Sequence, residues 1–440
     1  MIQLASYHQH RVHGRMLRRK KAWNHPRGAG VILESLSPPK GPVLAKFESD
    51  RVKPSQKAPC ITSCNYLASY TRLDPGELSI LVPGILVRYC RTASGRSQAH
   101  KISGRPPLWT PVKKSLKLKE TGYPKWANPK PINELAHPWE ASFEAIRRQE
   151  SIYDLNRTDI VTCSATLRDL FDFVRGLTSE IRFIMERIGK TVVFVRREVP
   201  APVWLPESDI QYKYEAEFTK RYTKWEDIAA EYKAHQRIVR YNFAGINIVV
   251  RSASDAYIPN QDLAFQGGSA STNTDKANIT SLTEGIGGLQ VHEGGKPIAQ
   301  NEILHTDLRS MYNHHGHLRK LHLSTVFPRL WASQVSNVAV AYHKEGVMKS
   351  VRVSDMKDEI LNWECENKDH LSRLAGLLNN LTGYARASPS RLEVCRSSFG
   401  PLEIRKLADQ DSPKAVSPEM RLCFDKSTTS RSGPATNARR

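Results

Sequence analysis

The sequence predicts an α+β fold, a mixed sheet built from hairpins with flanking helices, set between disordered termini. Three observations carry this reading. Short alternating apolar runs meet at tight-turn dipeptides in three places, Gly189-Lys190, Ala244-Gly245 and Glu345-Gly346, which is the pattern of β-hairpins. Leucine and aromatic stripes at three-four spacing lie between and beyond them, as amphipathic helices require. No internal repeat is visible, and the mixture of hairpins and helices within one core points to one α+β domain.

The core opens near Cys60. Residues 106–138 are proline-rich, with a lysine-rich run over 113–119, and read as an irregular wrapping segment. Trp139, Phe143 and Ile146 share one face of a helix over 139–149. Ser164 is the expected N-cap of a helix reaching Val174, with Leu167, Leu170 and Phe171 in its stripe and Gly176 as its stop. Ile181, Phe183 and Met185 alternate, as do Val193 and Val195, giving the first hairpin; 238–243 and 246–251 give the second. Residues 262–300, rich in Gly, Ser, Thr and Asn, read as a flexible insertion. Strand character returns over 303–309, and 323–335 is helical, with Pro328 bending it or moving its start. A third hairpin covers 338–342 and 347–353. A long helix over 355–381 follows, with Leu371, Leu374, Leu378 and Leu381 on one face and Gly383 ending it.

The formal charge of +21 invites a nucleic-acid reading until its distribution is examined. Residues 1–58 hold 12 basic and 3 acidic side chains, 385–440 hold 11 and 6, and 85–105 hold five basic and no acidic ones. Those stretches leave only +2 for the rest, so net charge says little about the surface of the core. With few apolar residues to offset ordering entropy, 1–58 and 385–440 read as basic disordered tails around one domain over 59–384. Arg18-Arg19-Lys20-Lys21 reads as a nuclear-import or nucleic-acid patch, a presequence, or a solvated tail.

Several function classes are excluded. The longest apolar run, 78–87, is broken by Pro83 and Gly84 and is too short to span a membrane. Seven scattered cysteines argue for a reducing compartment, hence an intracellular protein, nuclear or cytoplasmic. There is no Gly-x-Ser-x-Gly elbow, Walker loop or His-Glu-x-x-His pair, and the glycines at 285, 287 and 288 lack a dinucleotide-binding context. Cys60 and Cys64 have no second ligand pair at finger spacing. His314, His315 and His317, flanked by His305 and His322, read as a polar loop rather than a metal site. No two aspartates are adjacent, so the magnesium–diphosphate chemistry of isoprenoid synthesis lacks its ligands.

One constellation remains. The hairpin within 235–258 ends at a carboxylate, Asp255, and alternation over 303–309 sets His305, Asp307 and Arg309 on one face. A carboxylate after a hairpin, then a strand with polar groups at i and i+2, is the skeleton of a Mg2+- or Mn2+-dependent phosphodiesterase.

On these residues the chain resembles the PD-(D/E)XK nuclease superfamily. It is more closely similar to a group of filamentous-fungal proteins of unknown function, often labelled geranylgeranyl pyrophosphate synthetases, and more distantly to the decapping exoribonuclease family. The resembling stretches are 61–73, 80–84 joined with 106–111, 154–176, 222–258 and 323–381. The resemblance makes Asp255 the first metal ligand. It sets His305-Thr306-Asp307 where the second motif carries Glu-x-Lys, and Phe218-Thr219 where relatives carry Phe-Glu. Asp307 still offers a carboxylate, and Glu215 or Glu217 could substitute upstream; Arg309 and Arg251 are candidate phosphate contacts. Relatives run directly from Val-Pro-Gly into Pro-Leu-Trp, so 85–105 reads as an inserted stretch of gene-model origin. The resemblance implies a degenerate, catalytically impaired nuclease-like fold that binds RNA or DNA. The competing expectation is a non-enzymatic interaction module with an unknown protein partner and no membrane, using Trp331 and the 355–381 helix. Geranylgeranyl pyrophosphate synthesis stands third, on the family label alone.

Overall fold

The structure is a computed structural model. It describes residues 41–429 apart from internal stretches, chief among them 121–136, 198–213, 226–233, 260–282 and 313–325. Strands β1 (Val43–Phe47), β2 (Ile61–Arg72) and β3 (Ser79–Val82) lead to β4 (Val87–Arg91), β5 (Ser97–Lys101) and β6 (Leu108–Trp109). Helix α1 (Glu140–Gln149), β7 (Ile160–Cys163) and α2 (Ser164–Val174) precede the hairpin of β8 (Ile181–Ile188) and β9 (Thr191–Arg196). Helix α3 (Glu215–Tyr222) and β10 (Thr223–Lys224) are followed by the long hairpin β11 (Ala234–Phe243) and β12 (Ile246–Ser254), then β13 (Ala256–Tyr257). Next come β14 (Thr283–Glu284), β15 (Gln290–Glu293), β16 (Ile303–Ser310), α4 (Phe327–Ser333), β17 (Asn337–Lys344) and β18 (Val347–Asp355). Helices α5 (Lys357–Glu366) and α6 (Lys368–Ala387), strands β19 (Leu392–Arg396) and β20 (Leu402–Lys406), and α7 (Pro418–Thr429) complete it.

A twelve-stranded sheet runs β1-β20-β19-β8-β9-β7-β12-β11-β2-β3-β15-β14, and a six-stranded sheet runs β10-β6-β13-β16-β17-β18. Alternation along β11 explains the layering. Val239, Tyr241 and Phe243 enter a core shared with α2, α4, α5 and α6, including Phe171, Trp331, Trp363 and Leu374. Ile238 points to the other face, where Trp139, just before α1, Phe143 of α1 and Met420 of α7 pack. The hairpin turns as expected, Ala244 and Gly245 both taking positive φ (51° and 81°) while Asn242 Oδ1 accepts from the Gly245 N–H at 2.9 Å.

Four expectations need correction. Residues 41–58 are not a tail: β1 pairs antiparallel with β20, and Val52 is buried in the core. Residues 385–429 are not a tail either, since Leu392, Val394, Leu402 and Ile404 are buried in the same sheet; 430–440 lies outside the described residues. Five-residue strands in proline- and arginine-rich surroundings carry too little periodicity to stand out, and their partners lie at opposite ends of the chain. Within the supposed flexible insertion 262–300, β15 pairs in parallel with β3 and buries Leu289 and Val291; 260–282 lies outside the described residues. The long helix is two helices, parted at Asn367 (φ −100°, ψ 15°), and the second runs through Gly383 to Ala387. Around Pro328 the helix starts rather than bends, because a first-turn proline lacks only an N–H that would be unpaired anyway. Within 85–105, β4 and β5 pair as a separate two-stranded sheet.

Gly376 shows how tightly α6 is fitted. A Cβ there would lie 1.9 Å from the Lys53 carbonyl oxygen. Helix propensity favours alanine by about 1 kcal/mol, but displacing a backbone carbonyl costs about 1–3 kcal/mol. Gly376→Ala is therefore expected to lower the urea midpoint; an unchanged midpoint would show that the 53–57 segment yields freely.

Candidate functional site

The chain leaves the large sheet at Ser254 and joins the small one at Ala256, so Asp255 stands at the switch between sheets. Strand β13 pairs antiparallel with β16, Ala256 opposite Leu304, and continuing that register sets Asp255 against His305. His305 Nδ1 lies 2.6 Å from Asp255 Oδ2, and the Thr306 N–H donates to the same oxygen at 3.0 Å. Against a carboxylate acceptor, Nδ1 must carry the proton. Arg329, on α4, brings Nη2 to 3.5 Å from Oδ1. Burial alone would raise the Asp255 carboxyl, but His305, Arg329 and the Thr306 N–H outweigh it and hold it at about 2.

Two residues further along β16, Asp307 is also engaged. Arg309, on the same face, donates Nε and Nη2 to Asp307 Oδ2 at 2.7 and 2.6 Å. Glu215, at the start of α3, completes the electrostatic cluster. Desolvation first, then the negative charges of Asp255 and Asp307, raise its carboxyl, while Arg329 and His305 oppose the rise. Glu217 points elsewhere, paired with Arg221 at 2.8 Å.

These donors do not fit a divalent cation. Magnesium and manganese need several carboxylate or neutral oxygens facing one point. Here both oxygens of Asp255 and one of Asp307 already face N–H groups from the protein itself. Among the described residues no group of three or more His, Cys, Asp or Glu side chains is arranged to hold a metal ion. The cations Arg309 and Arg329 are set among the carboxyls of Asp255, Asp307 and Glu215, and Arg329, its side chain 41% exposed against 14% for Arg309, is the cation best placed to meet an anion.

The structure thus brings Asp255, His305, Asp307 and Arg309 to one locus. It does not bring Arg251 there. That guanidinium is buried on the α1 face of the large sheet, 4.1 Å over the Trp139 ring, donating to Pro138 O at 2.8 Å and Ser142 Oγ at 3.1 Å. Trp331 is a core residue whose indole N–H donates to Glu364 Oε1 at 3.2 Å, so it presents no docking face. His314, His315, His317 and His322 lie outside the described residues. Arg329 escaped the sequence reading: it sits in a seven-residue helix, and nothing in its spacing ties it to Asp255, 74 positions away.

No curated protein matches the chain in sequence. Among solved structures it is similar to Rai1 of Scheffersomyces stipitis, with a TM-score of 0.55 at 10% identity over 89% of this chain and 100% of that one. Rai1 of the same organism in complex with (3'-NADP)+ and a calcium ion gives 0.54 at 9% identity, over 87% and 100%. At such identities the likeness shows a shared fold, α+β and nuclease-like. No helix among the described residues is long and apolar enough to cross a membrane. A family model described as a domain of unknown function (DUF8563) matches residues 52–395, most of the chain, and the protein belongs to that family.

Proposed function

We propose that this protein is a nuclease-like fold that binds RNA or DNA through backbone phosphates and has lost metal-dependent cleavage. The observation that carries the reading is the state of Asp255: its carboxylate is engaged by His305, the Thr306 N–H and Arg329, where a nuclease would leave it for a metal. The Rai1 fold, solved in one of those structures with (3'-NADP)+ and a calcium ion, supports a phosphate-bearing ligand. The unlike residues at 305 and 307 support loss of the chemistry rather than loss of the fold. The described span 41–429 is net basic once β1, β19 and β20 are counted in it, and affinity through cations such as Arg329 falls with added salt.

Anisotropy with labelled single-stranded RNA and DNA tests this on the full chain. Binding is expected to be indifferent to EDTA and to weaken with salt. Arg329→Glu should weaken it about tenfold and lower the salt slope by about one. Mn2+-dependent cleavage that vanishes in Asp255→Ala would overturn the reading. Neither binding nor cleavage would leave the protein-interaction alternative standing.

A further inference from the structure

The β11–β12 hairpin has two ends, and only one carries Asp255. At the other, around the Ala244-Gly245 turn, lies an open groove of about 420 Å³. Strand β12 has nine residues, from Ile246 on the groove wall to Ser254 beside Asp255, which at about 3.3 Å per residue separates the two places by roughly 30 Å. The groove is therefore distinct from the site already described.

Its walls are fixed. Segment 53–57 forms one side, anchored by burial of Val52 and by the Ser55 N–H donating to Ser372 O at 2.9 Å. Gly376 of α6 admits that segment, since any side chain would strike the Lys53 carbonyl. Lys57 lies across the hairpin tip, its Nζ 2.4 Å from where a Cβ on Gly245 would stand, and Gly245 adopts φ +81°. Asn379 and Asn380 line the helix side.

The chemistry is one-sided. Lys53 and Lys57 both line the groove, and no aspartate or glutamate does. Among the described residues neither lysine is paired with a carboxylate. Two unpaired ammonium groups suit phosphate oxygens, which accept from point-charge donors in any orientation. Ser55 and the amides of Asn379 and Asn380 add donors and acceptors able to read a polar ring, and the volume falls in the small-molecule range.

We propose that this groove binds a phosphomonoester of mononucleotide size, its phosphate between Lys53 and Lys57 and its ring toward Asn379 and Asn380. The same phosphomonoester could come from a free nucleotide or from the 5′ end of a strand. Calorimetry on the full chain with AMP, adenosine and inorganic phosphate decides whether the site exists. AMP should bind at least tenfold more tightly than adenosine. Lys53→Glu with Lys57→Glu should weaken AMP binding thirtyfold or more while the melting temperature holds, both side chains being exposed. Asn379→Ala should weaken AMP and leave inorganic phosphate unchanged. In the Arg329→Glu background, which removes the exposed cation of the Asp255 locus, AMP should still bind and still depend on Lys53 and Lys57. In the Arg329→Glu background, a 5′-phosphorylated octanucleotide binding tenfold tighter than both AMP and its 5′-hydroxyl counterpart would assign the ligand to a strand end, and equal affinities for AMP and the phosphorylated octanucleotide to a free nucleotide. AMP binding no tighter than adenosine, wild-type affinity in the double lysine variant, or AMP binding in the Arg329→Glu background that no longer depends on Lys53 and Lys57 would each overturn the proposal.

Discussion

Stability is expected to fall by on the order of 4 kcal/mol between pH 6.5 and pH 3, with His235 the principal cause. The ring is buried in β11, 2.9 Å from Thr71 Oγ1 through Nδ1, and its Nε2 has no partner among the described residues. Burial, then the positive charge of Arg237, push it from 6.5 down to about 3. Between those values the unfolded chain holds a proton that the folded one refuses. The unfolded state thus binds more protons, and stability rises with pH across the window. Above 6.5 both states are neutral and the effect is gone. Burial lowers His343 too, so it contributes with the same sign. Asp255, held at about 2, adds its own loss only below about 4, where the unfolded carboxylate begins to protonate. Urea unfolding at pH 7, 5 and 4 should trace this slope, and His235→Gln should flatten most of it. A His235→Gln protein as acid-sensitive as wild type would refute the assignment.

The second large effect is a gain. Replacing two residues, His305→Glu with Asp307→Lys, restores the acid and the lysine that the resemblance sets at those positions. The glutamate introduced at 305 would face Asp255, and two carboxylates that close repel by about 1–4 kcal/mol unless a cation sits between them. Arg309 would lose its partner and be freed toward a phosphate. Without metal the double variant should therefore be less stable than wild type. With Mn2+ it should recover, and its Mn2+ affinity by electron paramagnetic resonance should exceed the wild-type value at least tenfold. A wild type that binds Mn2+ as tightly as the variant would remove the ground for calling the site degenerate.

What the sequence made legible follows from range. The hairpin at Ala244-Gly245 was readable because its signal is local: a turn dipeptide between alternating runs that pair residue for residue, Phe243 with Ile246 outward to His235 with Ser254. The meeting of Asp255 with His305 was readable because a strand end and a polar alternation mark both partners. Arg329 was not, since a short helix after Pro328 gives no hint of what lies across from it. Gly383 misled for a physical reason. It has open space around it and stays helical, so the helix ends later, before Pro389, while the break that matters falls at Asn367. Arg251 misled because cation–aromatic packing on Trp139 and exposure to a phosphate need the same residue type.

The pairing of β1 with β20 bears on how the chain is made. Arg405 Nη1 donates to the Gly41 carbonyl, 364 positions away. A ribosome releases β1 long before its partner β20, so that edge of the sheet stays open until residues 402–406 have emerged. Until then strand β1 and one edge of β19, the edge away from β8, wait unpaired. Contacts of such separation are slow to form and leave strand edges open to other chains. Closure of this edge thus waits for residues 402–406, and a nascent chain arrested before residue 402 would hold a sheet open at both β1 and β19.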